Sequence, residues 1–129
     1  MTENQIAHEI VDAAYRIHTT LGPGLLESVY VQTLAWELQQ RGCKVAQQVD
    51  LPVTYQGVRL ESGFRIDLLV DDKVIVEVKS VETLSPVHKK QLLTYLRLAD
   101  KRLGVLINFN VFLIKDGISR IANRIPEQN

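Results

Sequence analysis

The segment that most constrains the fold runs from Phe64 to Ser80, FRIDLLVDDKVIVEVKS, where two apolar runs flank Asp71 and Asp72. This pattern predicts a β-hairpin that turns at the two aspartates. β-branched residues occupy both faces of the second run, which is typical of a central strand covered on both sides. Because side chains alternate along a strand, Glu77 and Lys79 share one of these faces. Burying a charge is costly unless a partner or a metal ion compensates, so these two residues require an explanation.

Two explanations account for charges in such a strand. In the first, Glu77 and Lys79 pair with each other or with Asp67 as a structural ion pair near the strand end, where water can reach. In the second, Asp67 and Glu77 offer hard oxygen ligands to Mg²⁺ or Mn²⁺, and the carbonyl of Val78 adds a third. Lys79 then stands beside the metal.

The length of the hairpin connection separates two arrangements of these acids. A tight two-residue turn would place Asp67 opposite Val76 and would leave Asp67 and Glu77 on opposite faces. A three-residue connection that includes Lys73, or a bulge, pairs Asp67 with Glu77 instead. The metal-site hypothesis therefore predicts the second register.

A resemblance to a known family begins with these residues. Asp67 followed by Glu77-Val78-Lys79 on a hairpin resembles the D…(D/E)xK signature of the PD-(D/E)XK nuclease superfamily, although Ile66 stands where that signature has Pro. The segment GLLESVY, which contains Glu27 and Tyr30, is similar to the motif that names the GxxExxY family. With the helix motif described next, the resemblance extends from about residue 10 to residue 124.

The third match lies in a basic helix. Gln91 and Tyr95 are one turn apart on a predicted helix and resemble the QxxxY motif of recombination-type nucleases in the same superfamily. The helix and its end also carry the basic residues of a possible phosphate-facing surface, although a charge run is usually a solvated face. These residues are His88, Lys89, Lys90, Arg97, Lys101 and Arg102.

The resemblance implies an α/β domain with a restriction-endonuclease-like core and metal-dependent hydrolysis of phosphodiester bonds in DNA. Asp67, Glu77 and the carbonyl of Val78 would hold Mg²⁺, for which Mn²⁺ would substitute. Glu27 would bind a second ion or a metal-bound water. From chemistry alone, Glu27 at the start of a helix could simply complement the helix dipole, and Tyr30 could orient it or only pack.

The resemblance also assigns roles to the remaining candidates. Lys79 would orient the attacking water or stabilise the charge that builds on the phosphate, and Gln91 and Tyr95 would position the substrate or Lys79. Two other functions stay open. One is a nucleic-acid or protein-binding module that keeps the fold without turnover, and the other is a structural dimer with buried ion pairs. The excess of acids over Lys79 favours the metal.

Composition limits the remaining choices. The chain has 129 residues, enough for one domain, and 15 basic residues balance 15 acidic ones, which argues against a strong nonspecific grip on nucleic acid. No apolar run is long enough to span a membrane, and the N-terminus has no signal-peptide pattern. The lone Cys43 fits a buried apolar role and a reducing cytoplasm. Cleavage of both strands of a duplex would need two sites, which suggests a homodimer.

Periodicity and caps predict the other elements of a mixed sheet flanked by helices. The first two helices are expected at about Glu3 to Leu21 and Leu25 to Arg41, the second with a core stripe listed below. The third should begin at Pro86 after an N-cap at Ser85, end near Asp100, and connect parallel strands by a right-handed crossover. The stripe consists of Leu26, Val29 or Tyr30, Leu34 and Leu38, with Trp36 nearby.

Short strands complete the expected pattern. Two precede the hairpin, at Val45 to Val49 and Leu51 to Tyr55, with Pro52 indicating an edge or a bulge. The others are expected after the third helix, separated by a turn at Asn108-Phe109-Asn110 and a hairpin turn at Asp116-Gly117, with a frayed tail after Arg124. Their ranges are Leu103 to Asn108, Val111 to Lys115 and Ile118 to Ile121.

Overall fold

The computed structural model describes residues 1–124, in which three helices surround a five-stranded sheet. The strands lie in the order β1-β2-β3-β4-β5, with β3 and β4 parallel and the other neighbours antiparallel. The mixed sheet with flanking helices confirms the predicted α/β class. The elements are α1 Glu3–Leu21, α2 Glu27–Gln40, β1 Val45–Tyr55, β2 Val58–Val70, β3 Val74–Lys79, α3 Pro86–Ala99, β4 Leu103–Asn108, a 3₁₀ helix Ile114–Gly117 and β5 Ile118–Ala122.

Local signals set the ends of α1 and α3 as predicted. Thr2 and Gln5 form a capping box at the start of α1, and Gly22, with φ 74°, ends it. Ser85 caps α3, its hydroxyl accepting from the backbone N–H of Val87, and a proline occupies the first turn. The cap residues therefore set where α1 begins and ends and where α3 begins.

The sheet separates two hydrophobic clusters. The α1/α2 cluster contains Val74, Val76 and Val78 of β3, and the α3 cluster contains Ile75. All four side chains are fully buried. This confirms that β3 is a central strand covered on both faces, as its β-branched residues predict.

The β2–β3 hairpin has the three-residue connection. Val70 pairs with Val74, and the N–H of Lys73 donates to the carbonyl of Val70 at 3.0 Å. Asp71 and Asp72 both adopt left-handed backbone with φ 51° and 55°, which Asp tolerates better than most residues. The register that the metal-site hypothesis requires is therefore the one observed.

The first hairpin is longer than the sequence indicates. β1 is one strand of 11 residues where two short runs were expected, and β2 begins at Val58 instead of Phe64. The register shifts between Pro52 and Val53, so the predicted bulge is present, and β1 lies at the sheet edge. Because β3 pairs only with the end of β2, most of this hairpin extends beyond the rest of the sheet.

The predicted core stripe of α2 is wrong at Leu26 and at the neighbouring Trp36, and of the alternatives Val29 and Tyr30 it is Tyr30 that is buried. Tyr30, Leu34 and Leu38 are buried, but Leu26 and Trp36 are 74% and 59% exposed, and Val29 is also exposed. Helix α2 begins at Glu27, so Leu26 precedes it as the N-cap. Helical spacing alone could not show which of several apolar stripes would face the sheet, and the packing against α1 and β3 selects the one centred on Leu34.

The predicted strand at Val111 to Lys115 is also wrong. Residues 111–113 are bends, and Ile114–Gly117 is a 3₁₀ helix. Asp116 and Gly117, where a hairpin turn was expected, are the last two residues of this helix. Val111 and Ile114 still pack in or against the α1/α2 cluster. An apolar run this short buries its residues equally well in a 3₁₀ turn, so its periodicity does not identify a strand.

Gly117 allows this 3₁₀ helix to lie against the end of β4. A Cβ atom at Gly117 would stand 2.1 Å from the backbone oxygen of Asn108. We expect Gly117→Ala to lower the free energy of unfolding by about 1–3 kcal/mol, because backbone has to move. Urea unfolding measures this. Gly104→Ala is the matched control, since its Cβ would meet only the Leu92 side chain at 2.9 Å, and an equal loss in both variants would contradict the backbone explanation.

Three further expectations concern single features. Cys43 is buried, as predicted for a small apolar side chain. Among residues 1–124, no helix has the length and hydrophobicity needed to cross a membrane. The expected frayed tail lies outside the described residues.

Candidate active site

Asp67 and Glu77 meet where β2 and β3 separate. The backbone N–H of Asp67 donates to Oε2 of Glu77 at 2.7 Å, and the backbone N–H of Val78 donates to Oδ2 of Asp67 at 2.8 Å. The regular pairing of the two strands ends one residue earlier, at Leu68 and Val76. Each carboxylate thus bonds to the backbone of the opposite strand and takes the place of a ladder hydrogen bond.

A rotation of β2 makes this arrangement possible. Ile66 packs in the α3 cluster, whereas Leu68 packs in the α1/α2 cluster, although residues two apart share a face in a regular strand. The neighbouring strand deviates at the same level: Gln48 has a φ of 50°, and no pair joins Gln48 to Asp67 between the pairs Gln47–Leu68 and Val49–Ile66. The N–H of Asp67 donates to Glu77 at this point.

Burial makes the pair of acids electrostatically unfavourable. Glu77 is only 7% exposed, and Asp67 is half-buried. Burial and then the negative charge of Asp67 raise the pKa of Glu77 to about 8. Burial also raises the pKa of Asp67, and the charge of Glu27 adds to that increase. Two carboxylates in such a place are stabilised in their ionised form only if positive charge is supplied.

Lys79 supplies part of that charge from the end of β3. Its side chain is half-buried, and its charge lowers the pKa of both Asp67 and Glu77. It does not form an ion pair, since none of the salt bridges found within residues 1–124 includes Lys79, Asp67 or Glu77. The structural ion pair considered as the first explanation is therefore not formed in this part of the chain.

Glu27 approaches the same end of the sheet from α2. Its Oε2 accepts a hydrogen bond of 3.4 Å from the backbone N–H of Ser80, the residue after β3. The hydroxyl of Ser80 donates to the carbonyl of Leu25 at 2.6 Å. Glu27 and Ser80 also line an open cavity of about 520 Å³, together with Asn110 and the loop before α2. The loop that carries Glu27 is thus tied to the end of the hairpin.

Tyr30 holds the loop between α1 and α2 in place. Its ring is fully buried and stacks on Phe109 with 4.4 Å between ring centroids. Its hydroxyl donates to the carbonyl of Gly22 at 2.6 Å and accepts from the N–H of Leu25 at 3.2 Å. Of the two roles left open for Tyr30, the structure shows packing and loop fixation, and the hydroxyl is used by backbone groups and not by the Glu27 carboxylate.

On α3, Tyr95 and Gln91 differ in their surroundings. Tyr95 is half-buried and stacks on Phe64 with 4.2 Å between ring centroids. Burial raises the pKa of Tyr95, and the charges of Glu77 and Asp67 raise it further. Gln91 is exposed, one turn before Tyr95. Tyr95 thus packs against the α3 cluster, to which Ile66 beside Asp67 also belongs, and Gln91 lies at the surface.

Two of the basic residues near α3 are used structurally. The Nδ1 atom of His88 accepts from the backbone N–H of Ser85 at the start of the helix, and Lys101 pairs with Asp72 at 3.2 Å. Lys89, Lys90 and Arg97, on the helix itself, are exposed.

The site offers the oxygen ligands that a divalent cation prefers, although only two side chains provide them. Asp67 and Glu77 provide hard carboxylate oxygens, and the N–H of Val78 points toward β2, so its carbonyl points to the same side of the strand. Within residues 1–124, no group of three or more His, Cys, Asp or Glu side chains is assembled to hold a metal. Glu27, which accepts a hydrogen bond from Ser80, therefore stands apart from the central pair in this arrangement.

Sequence reasoning missed Asn108. The sequence predicts Asn108 as the end of a strand and the start of a turn but gives it no part in the site; it is the last residue of β4 and is 2% exposed. Its Oδ1 accepts from the backbone N–H groups of Val81 and Asn110, and its Nδ2 donates to the carbonyl of Val81. The available signal was an amide residue that closes an apolar run, LGVLIN, on the strand predicted to lie parallel to β3.

Comparison with known proteins gives the family. The chain matches the model of a PD-(D/E)XK nuclease superfamily family over residues 4–121. Two solved structures are similar. One is titled SSO0001; it is 17% identical, with a TM-score of 0.45, and the match covers 91% of this chain and 67% of that one. The other is an alkaline exonuclease (LHK-Exo) from Laribacter hongkongensis; it is 16% identical, with a TM-score of 0.44, and the match covers 95% of this chain and 82% of that one. No curated protein matches significantly. The chain belongs to the PD-(D/E)XK nuclease superfamily.

Proposed function

We propose that this chain is a metal-dependent nuclease that hydrolyses phosphodiester bonds of DNA and that it belongs to the GxxExxY group of the superfamily. The observation that carries the proposal is the pair of buried acids, Asp67 and Glu77, which face each other without a salt-bridge partner in residues 1–124. Such a pair destabilises the metal-free protein, and a cation would offset that cost.

Asp67, Glu77 and the carbonyl of Val78 would hold one Mg²⁺, for which Mn²⁺ would substitute because it prefers the same oxygen ligands. When bound, the cation would polarise the scissile phosphate and lower the pKa of a water. Glu27 faces the adjoining cavity and would hold a second ion or a water near the first.

The other side chains would act on substrate and water. The Lys79 ammonium would orient the attacking water or stabilise charge on the phosphate. Tyr95, which packs against the α3 cluster, would position the substrate or Lys79, and Gln91 would contact the substrate from the surface of α3. The exposed Lys89 and Lys90 on the same helix would contact phosphates, and this local basic surface would compensate for a neutral net charge.

The proposal extends to the oligomeric state and the cellular location. One active site per chain cuts one strand, so cleavage of a duplex would use a homodimer. A single buried thiol fits a chain that acts in the cytoplasm as one nuclease domain.

Calorimetric titration with Mn²⁺ tests the metal site. We expect saturable binding to the wild type and a loss of at least about tenfold in affinity in Asp67→Asn, because the substitution removes a charged ligand. Glu61→Gln removes an exposed acid of the first hairpin and should bind like the wild type. The titration should be run at pH 8 or above, where more of Glu77 is ionised.

The competing function is a binding module that keeps the fold without turnover. The absence of a three-residue ligand cluster in residues 1–124 is the observation that favours it. If neither the wild type nor Asp67→Asn binds Mn²⁺, with or without a DNA oligonucleotide to supply phosphate oxygens, the nuclease proposal fails. DNA binding without cleavage would then identify the module.

A further inference from the structure

Asn108 is the one buried amide at the active-site end of the described sheet. Its side chain makes a donor and an acceptor hydrogen bond to Val81, at 2.9 and 3.1 Å, and accepts from Asn110 at 3.2 Å. These two bonds to Val81 resemble those that a neighbouring strand would make. The Asn108 side chain therefore extends the β3–β4 pairing beyond the point where β3 ends at Lys79.

The segment held by Asn108 has contacts on both sides. On the β4 side, the carbonyl of Lys79 accepts from the N–H of Phe109 at 3.0 Å, and Asn108 holds Val81. On the α2 side, the backbone and hydroxyl of Ser80 contact Glu27 and the loop before it. Lys79–Val81 is thus clamped between the end of β4 and the helix that carries Glu27.

We propose that Asn108 is a positioning residue of the active site, which fixes Lys79–Val81 so that Lys79 and Glu27 keep their places relative to the Asp67–Glu77 pair. The inference rests on the proposed nuclease function and adds to it a residue that no family motif quoted above contains. Asn108 acts through the backbone of Val81 and touches neither acid in the hydrogen bonds found.

A second buried amide provides a matched control. Asn123 is 9% exposed, and its Nδ2 donates to the carbonyl of Lys101 at 2.9 Å. It lies near the opposite end of β4, beside the pair that Leu103 forms with Ala122. Loss of either amide leaves a part-buried carbonyl without its donor, but Asn108 also accepts two backbone N–H groups, so its substitution carries the larger structural cost. Only Asn108 adjoins the site, so stability is measured by urea unfolding for both variants.

The experiment compares Asn108→Ala with Asn123→Ala in a DNA cleavage assay. We expect Asn108→Ala to lower kcat by about 10–100-fold with little change in KM, the size typical of residues that orient site groups. Asn123→Ala should stay within about twofold of the wild type. Asn108→Ser serves as a second variant if the alanine form does not fold, because it adds no charge and keeps a small polar group in the same place.

A double-mutant cycle with Glu27→Gln separates positioning from general destabilisation. If Asn108 acts by placing Ser80 against Glu27, the double variant should lose little more activity than the more impaired single variant. The proposal would be overturned if the kcat losses of the Asn108 and Glu27 variants multiplied in the double variant. It would also be overturned if the Asn108 and Asn123 variants lost kcat equally.

Hydrogen exchange at the Ser80 amide gives a readout without activity. We expect its protection to fall at least about tenfold in Asn108→Ala and to be unchanged in Asn123→Ala, because only the first frees the clamped segment. Unchanged protection in both variants would overturn the positioning role. Should the wild type cleave no DNA, the nuclease function fails separately, and the exchange result still decides whether Asn108 holds Ser80 against Glu27.

Discussion

Lys79→Ala is expected to abolish cleavage while sparing metal binding, with kcat reduced by about 10²–10³-fold. Lys79 ends β3 on the face that carries Glu77, and its charge already lowers the pKa of both acids. A cation in this position would act on the phosphate and the attacking water, whereas the metal would be held by oxygen atoms. The loss should therefore appear in kcat.

Two measurements on the same variant separate these roles. Cleavage of a labelled oligonucleotide at saturating Mn²⁺ gives kcat, and calorimetry at pH 8 or above gives metal affinity. Higher pH matters because removal of Lys79 raises the pKa values of the acids further, and protonated acids bind metal poorly. Lys73→Ala, in the turn of the same hairpin, is the control and should cut normally. If Lys79→Ala cuts as well as the wild type, the role assigned to Lys79 is wrong.

Glu77→Gln is expected to abolish metal binding and yet to stabilise the metal-free protein at pH 8. The variant replaces a buried acid by a neutral amide whose oxygen can still accept from the N–H of Asp67. Near pH 8, Glu77 is ionised beside Asp67 in about half of the wild-type molecules, and this repulsion lowers their stability. We expect the free energy of unfolding to rise by an amount on the order of 3 kcal/mol at pH 8 and above, from the linkage between pKa and stability.

The sign of the pH dependence follows from the raised pKa of Glu77. The unfolded chain releases this proton near pH 4.5, whereas the folded, metal-free protein holds it up to about pH 8. Between these values the folded state binds more protons, so the free energy of unfolding falls as pH rises. The contribution is complete below about pH 4.5 and is lost as pH passes through about 8.

Urea unfolding from pH 5 to pH 9 in the presence of a chelator measures this slope. The wild type should lose stability across the range, and Glu77→Gln should lose much less. Glu61→Gln, which alters an exposed acid, should follow the wild type. A wild-type stability that does not change with pH would mean that Glu77 is ionised in the folded protein without a metal, and the electrostatic basis of the site would be wrong.

The position of the acids on the hairpin could be predicted because short-range rules govern it. Alternation of β-branched residues identified β3, and the two aspartates marked its turn. The sequence was compatible with a two-residue or a three-residue connection between β2 and β3. The structure has the three-residue connection, with Asp71 and Asp72 both in left-handed backbone. Ser85 and Pro86 fixed the start of α3 in the same local way.

Other features could not be predicted because they depend on residues far apart in the chain. The side of α2 that faces the sheet, which leaves Trp36 exposed, is set by packing against other elements. The rotation of β2 at Asp67 occurs level with Gln48 of β1, and no alternation pattern reveals it.

By itself the sequence determined the mixed α/β class, the hairpin with its acids, the approximate bounds of α1, the cap of α3, and the resemblance to a nuclease superfamily. Tertiary structure alone decided that Asp67 and Glu77 bond across the opening between two strands, that Tyr95 packs against the α3 cluster whereas Gln91 is exposed, and that Asn108 clamps the end of β3. The physical reason is range: turns and caps are set by neighbours within a few residues, whereas burial and hydrogen bonds between distant segments exist only once the sheet has formed.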